Sequence, residues 1–161
     1  MKDLKVRNLR NNNPANLPRK SSWLGLVPYL VDKTTNQMYF DHRYCQFESD
    51  VYGVRALIVV IRKLVYRKKL HSISSILFAF RPLSDCNTYA YIADVCRFIK
   101  DKYNEQGMFG EMIVDADSSF NLFVNPKTLS FFGRCFIKAI LCQETCYLCS
   151  DEILDKALEL L

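Results

Sequence analysis

The chain has 161 residues, half of them hydrophobic and 13% aromatic, with only 5 Gly and 5 Pro; this excludes disordered, collagen-like and Pro-rich linker architectures and sets the expectation of one folded domain. Lys plus Arg number 22 against 17 Asp plus Glu, a net charge of +5, and the excess lies early, with Lys2, Lys5, Arg7, Arg10, Arg19 and Lys20 against Asp3 alone. Such a basic front favours anionic partners such as nucleic acid, phospholipid or acidic wall polymers, without choosing among them.

In chain order, residues 1–49 read as loop followed by one or two short strands. An Asn-rich, Pro-punctuated start (Asn11, Asn12, Asn13, Pro14, Pro18) leads to Trp23-Leu24-Gly25 and then to a Tyr-, Val-, Thr- and Phe-rich stretch from Val27 to Phe47. From Ser49 or Asp50 the period becomes helical, with Val54, Leu57, Ile58, Ile61, Leu64 and Val65 recurring at three and four. Shorter helices are expected over about 72–80, ending before Pro82, and over about 87–103. The acidic, Gly-containing stretch 104–125 reads as loop. Pro126 or Thr128 then opens a helix with Leu129, Phe132, Phe136, Ile140 and Glu144 on one stripe, flanked by Phe131, Cys135, Ala139 and Cys142. A last helix starts near Ser150, capped by its hydroxyl and by Asp151 and Glu152. The expected fold class is mainly α with a small β element, the residues after 49 being helical.

Seven cysteines, at 45, 86, 96, 135, 142, 146 and 149, cannot all pair within one chain, so synthesis in a reducing cytoplasm is expected. The longest purely apolar run, Ala56 to Ile61, is far short of the roughly 20 residues that span a bilayer. The N-terminus has no apolar signal-peptide core, so no membrane span is expected and any export uses another route.

Glu144 stands out because it extends an apolar stripe at the place where its helix ends. Burial and the negative end of the helix dipole both favour a protonated carboxyl, which is what a general acid requires; the competing reading turns it outward into solvent. Cys146 and Cys149 form a CxxC with Cys142 one turn earlier, but His42 and His71 lie in no ligand spacing, so buried free thiols are expected rather than a metal site, and no cofactor is implied. Arg62, Lys63, Arg67, Lys68 and Lys69, with Tyr66 among them, form either a phosphate-tracking face or the solvated end of a helix. No GxSxG and no GxxxxGK[ST] occurs.

The order of motifs carries a resemblance. Arg10-Asn11-Asn12-Asn13-Pro14-Ala15-Asn16-Leu17 is followed by Trp23-Leu24-Gly25, then by Tyr44-Cys45-Gln46-Phe47-Glu48-Ser49, then by Tyr52-Gly53-Val54-Arg55-Ala56-Leu57. This resembles a family of phage virion-associated, lysozyme-like proteins with R-N-N-N-P-G-N-I-R, W-x-G, F-x-x-F and G-I-R-A-L motifs, a later Pro before Asn-x-x-x-Tyr, and a final helix ending in Glu. Pro82, Asn87, Thr88 and Tyr91, and then Ile140 to Glu144, follow the same order. The first half is also similar to flagellar and autolysin-type glucosaminidases, whose Asn-Asn segment follows a catalytic helix. No helix is expected ahead of Asn11 here. A circular permutation, with the Glu144 helix taking that place, would account for the arrangement. The chain departs from the pattern where Thr145 and Cys146 stand in place of Asn-Gly after the Glu, and at Ala15 in place of Gly.

The resemblance implies a lysozyme-like α+β domain that cleaves glycosidic bonds of peptidoglycan as a muramidase, glucosaminidase or lytic transglycosylase, acting from a virion or at the bacterial cell wall. Glu144 would protonate the leaving oxygen, and Asn12, Asn13, Asn16, Trp23, Tyr44 and Phe47 are the candidate substrate contacts, the three aromatics alternatively serving as core. Asp41, Glu48 and Asp50 are the acids near the β element. Gly53 is expected to allow close packing, and Arg55 to meet Glu48 or Glu144 or to stay exposed. The alternative is a non-catalytic virion or binding protein with the same fold, with other virion proteins as partners. A nucleic-acid binder, with no specific reader motif, is third.

Overall fold

The computed structural model describes residues 2–19, 22–32, 34–107 and 114–161, with side chains described from residue 6 onward. Among the described residues it is mainly α, with six helices, α1 (Lys2–Arg10), α2 (Asp50–Lys68), α3 (Ile73–Phe80), α4 (Thr88–Glu105), α5 (Phe131–Thr145) and α6 (Asp151–Glu159), covering about half the chain. Two small antiparallel sheets accompany them, β1 (Leu30–Val31) with β2 (Met38–Tyr39), and β3 (Phe123–Asn125) with β4 (Thr128–Leu129). The chain divides into two compact units, Met1–Val59 with Glu144–Leu161, and Val60–Gln143.

In the first unit, α1 corrects the expectation of a loop ahead of Asn11, and with it the observation that motivated a circular permutation falls away. This helix was invisible to periodicity because it has no apolar stripe: Val6 is 62% exposed, and polar groups hold the helix instead. Its end is a Schellman motif: Asn12 takes φ 53°, its N–H donates to Leu9 O at 3.0 Å, and Asn13 N–H donates to Asn8 O at 2.9 Å. Asparagine suits that left-handed position better than any other residue with a Cβ, and Asn16, at φ 52°, repeats the device. The chain then pairs through isolated bridges Pro18↔Tyr44 and Leu26↔Phe47 and forms the β1–β2 hairpin, with Leu30 opposite Tyr39 and Val31 opposite Met38. Gly53, on the first turns of α2, is buried, and a Cβ there would collide with Asn12 O. Its close packing is therefore against the Asn loop. Arg55 Nε donates to Leu160 O at 2.9 Å. Ser150 caps α6 by accepting from Ile153 N–H at 3.3 Å.

In the second unit, Ser72 opens α3 with a capping box and Asn87 caps α4 through Ala90 N–H. Thr88 Oγ1 donates to Arg81 O at 2.6 Å, which accounts for the Asn-Thr pair after Pro82. Strand β3 falls in the stretch expected to be loop, of which residues 108–113 lie outside the described residues. Helix α5 starts later than expected: Thr128 and Leu129 are strand, and Ser130 is the residue whose Oγ accepts from Gly133 N–H at 2.9 Å. From there Phe132, Cys135, Phe136, Ala139 and Ile140 are all buried, as the stripe requires. A Cβ on Gly133 would collide with Leu122 O, so glycine is needed where α5 passes the residue leading into β3.

Candidate functional site

The Asn loop and the end of α5 meet within the first unit. Asn16 Nδ2 donates to Glu144 Oε2 at 2.8 Å and to Glu144 O at 3.2 Å. Asn8 Nδ2 in turn donates to Asn16 Oδ1. That bond fixes the orientation of the Asn16 amide, since an oxygen held by a donor leaves the NH2 group for the carboxylate. Glu144 is only 8% exposed. Its neighbour Thr145, a departure from the resembled pattern, is fully used: its hydroxyl donates to Pro14 O at 2.8 Å. Cys146 takes φ 58° directly after the helix, the position where Gly or Asn is the usual choice.

The remaining candidates separate into loop-builders and surface groups. Asn13 is wholly buried; its Nδ2 donates to Leu17 O and Cys45 O, and its Oδ1 accepts from Leu17 N–H at 2.9 Å. Phe47 is also wholly buried, and its N–H donates to Asn11 O at 2.9 Å. Both are interior supports of the loop, and for Phe47 this is the alternative, core reading. Asn12 spends its Nδ2 on Phe47 O at 2.8 Å and is part-exposed. Trp23 and Tyr44 are part-exposed, and Arg7 lies over the Tyr44 ring at 5.7 Å. An open groove of about 510 Å³ between α1 and the hairpin is lined by Val6, Leu9, Arg10, Asn12, Leu30 and Val31 among others. Glu144 is not among its lining residues.

Asp41, one of the three acids near the β element offered as a second carboxylate, is instead the organising group of the loop. It is 2% exposed and receives Arg7 Nε at 2.6 Å, Arg7 Nη2 at 2.7 Å, Asn11 Nδ2 at 2.7 Å, and the backbone N–H groups of Arg43 and Tyr44. Burial alone would raise its pKa, but the Arg7 and Asn11 hydrogen bonds and the two backbone donors outweigh it and hold the carboxyl down to about 2. Gln46 Oε1 accepts from Asp41 N–H at 2.8 Å. With every lone pair committed, Asp41 is a structural anion. Asp50 accepts the Tyr147 hydroxyl, and burial followed by that bond pushes the Tyr147 pKa up. Glu48 is exposed.

The cysteines are not disulfide-bonded: Cys45, Cys135 and Cys149 are buried, Cys86, Cys96 and Cys142 intermediate, Cys146 exposed. Burial pushes the Cys45 thiol up to about 11, which makes it inert. Among the described residues no group of His, Cys, Asp and Glu is arranged to hold a metal ion. In the second unit the basic run forms the end of α2, where Arg62 Nη1 donates to Pro126 O at 3.0 Å, Lys63, Arg67 and Lys68 are exposed, and Tyr66 leans on Phe123. No described helix is long and apolar enough to cross a membrane. No protein-family model matches the chain, and no curated protein matches it.

Proposed function

We propose that the chain is a lysozyme-like glycosidase acting on peptidoglycan, with Glu144 as its general acid. The observation that carries this reading is the buried Glu144 carboxylate tied by Asn16 to the Asn-rich loop. An Asn-rich loop and a helix ending in Glu are what the resemblance to phage virion lysozyme-like proteins calls for. Asn16 donates to Oε2 and so orients the carboxyl that, in this scheme, protonates the glycosidic oxygen. Asn16 and Asn8 are positioning residues in this scheme. Asp41 is withdrawn as a second carboxylate, since its lone pairs are committed to Arg7, Asn11 and the backbone. A lytic-transglycosylase or substrate-assisted route, which needs one acid, fits the remaining groups best.

The test is loss of turbidity of purified peptidoglycan with wild type and with Glu144→Gln. The reading predicts clearing by the first and none by the second, since the amide keeps the shape but has no proton to give. Equal clearing by both would move the acid elsewhere, and no clearing by folded wild type would favour the second reading. That reading, a non-catalytic virion or binding protein of the same fold, is favoured by one observation: much of the Asn loop is consumed in building itself.

A further inference from the structure

We infer that the β1–β2 hairpin is a docking surface for an anionic phospholipid bilayer. This goes beyond the hydrolase reading and does not depend on it. Side chains alternate across the hairpin: Leu30 and Tyr39 turn inward, where Arg10 lies over the Tyr39 ring at 4.2 Å and Tyr39 donates its hydroxyl to Arg10 O at 2.6 Å. Tyr29, Val31, Met38 and Phe40 fall on the opposite alternation and are 51%, 47%, 69% and 48% exposed. Val31 and Met38 are cross-strand partners, and Tyr29 and Phe40 follow them on the same alternation. A soluble surface rarely groups its exposed apolar side chains this way without a partner.

Charge identifies the partner. One end of the face is rimmed by cations: Arg19 lies over the Phe40 ring at 4.5 Å, its N–H donates to Arg43 O at 2.9 Å, and Arg43 is itself exposed. His42 stands edge-on to Phe40 with ring centroids 4.4 Å apart. The two acids of this segment do not offset them. Asp41 is buried under Arg7, and Asp32, held in the hairpin turn by Thr34 and Thr35 N–H, is paired with Arg10 at 4.0 Å. An apolar face with an uncompensated cationic edge and a Tyr at its margin matches the interface of an anionic leaflet, where each cation contributes about a fivefold gain in partitioning.

The experiment is co-sedimentation of the full chain with phosphatidylglycerol-containing vesicles and with pure phosphatidylcholine vesicles at low salt. The expected result is binding to the first alone, lowered at least about tenfold by Met38→Asp and by Arg43→Glu. Both side chains are exposed, and unchanged thermal melting checks that each variant folds; Tyr29→Ser serves where either does not. Failure of wild type to bind the anionic vesicles, equal binding to both vesicle types, or full binding by the folded variants would each overturn the proposal. A dimer that Met38→Asp dissolves, without vesicle binding, would overturn it in favour of a second copy of the chain.

Discussion

The two units are held together by different physics. Among the described residues, every buried polar side chain except Thr88 belongs to the first unit: Asn8, Asn11, Asn13, Asp41, Gln46, Glu144 and Thr145. The second unit is built from Ile, Leu and Phe, with Phe120 stacked on Phe132 at 4.2 Å and Tyr103 edge-on to Phe131 at 4.8 Å. Apolar packing is nearly non-directional and tolerates substitution by shape, whereas a buried hydrogen-bond network is satisfied only by particular atoms in particular places. The first unit accepts that cost, including an Asn11 Oδ1 buried with no hydrogen-bond partner among the described residues. What the network obtains is geometry: a fixed loop presenting one amide donor to one carboxylate.

Substitutions by shape should expose the contrast most sharply. Phe136→Ala, at a wholly buried site of the second unit, is expected to cost about 3–5 kcal/mol, while the volume-sparing Ile137→Val costs only about 0.5–1.5 kcal/mol. At Asp41 there should be no such gentle option. Asp41→Leu, although apolar, strips partners from Arg7, Asn11 and two backbone donors and is expected to cost about 3–5 kcal/mol. Urea unfolding of the four proteins, including wild type, checks the pattern. A mild effect of Asp41→Leu would dissolve the contrast. Asn13→Leu sharpens it, since the volume is kept but Leu17 N–H and two carbonyls lose their partner; about 2–3 kcal/mol is expected by the same measurement.

Acid should also find the first unit. The Asp41 carboxyl sits at about 2 when folded against its usual 3.8, so its folded-state pKa is depressed. The stabilisation is therefore complete above about pH 4 and is lost as pH falls toward 2. At about 1.36 kcal/mol per pKa unit the loss is about 2 kcal/mol. Stability measured against pH should show this slope in wild type and not in Asp41→Asn. At the small end, Lys156→Ala breaks an exposed i,i+4 pair with Glu152 on α6 and should leave the melting temperature unchanged.

The same contrast explains what could be read from the amino-acid order. Helices α2, α3, α4 and α6 announce themselves through three-and-four spacing and local caps at Ser72, Asn87 and Ser150, all signals contained within a few residues. Helix α1 carries no stripe, and its anchor Asp41 lies 34 residues from Arg7, so nothing local marks it. Strands β3 and β4 are two or three residues long, below what alternation can register. At the site, Glu144 was legible because an acid on an apolar stripe is anomalous wherever it occurs. The roles of Asn8, Asp41 and Thr145 were not, because each is defined by a partner distant in the chain. One signal was available: Asp41 is an acid between Phe40 and the basic pair His42-Arg43, and a lone anion in such a place has a reason to be there.

The central claim is that this polar knot exists to hold Glu144 through Asn16. It is tested most directly by the initial rate of soluble glycan release from purified peptidoglycan by wild type and by Asn16→Ala, with folding of each confirmed by thermal melting. The account predicts release by wild type and a fall of about tenfold or more in kcat for Asn16→Ala with KM little changed, as expected when a positioning contact to the acid is lost. Equal rates for the two folded proteins, or no release by either, would contradict it.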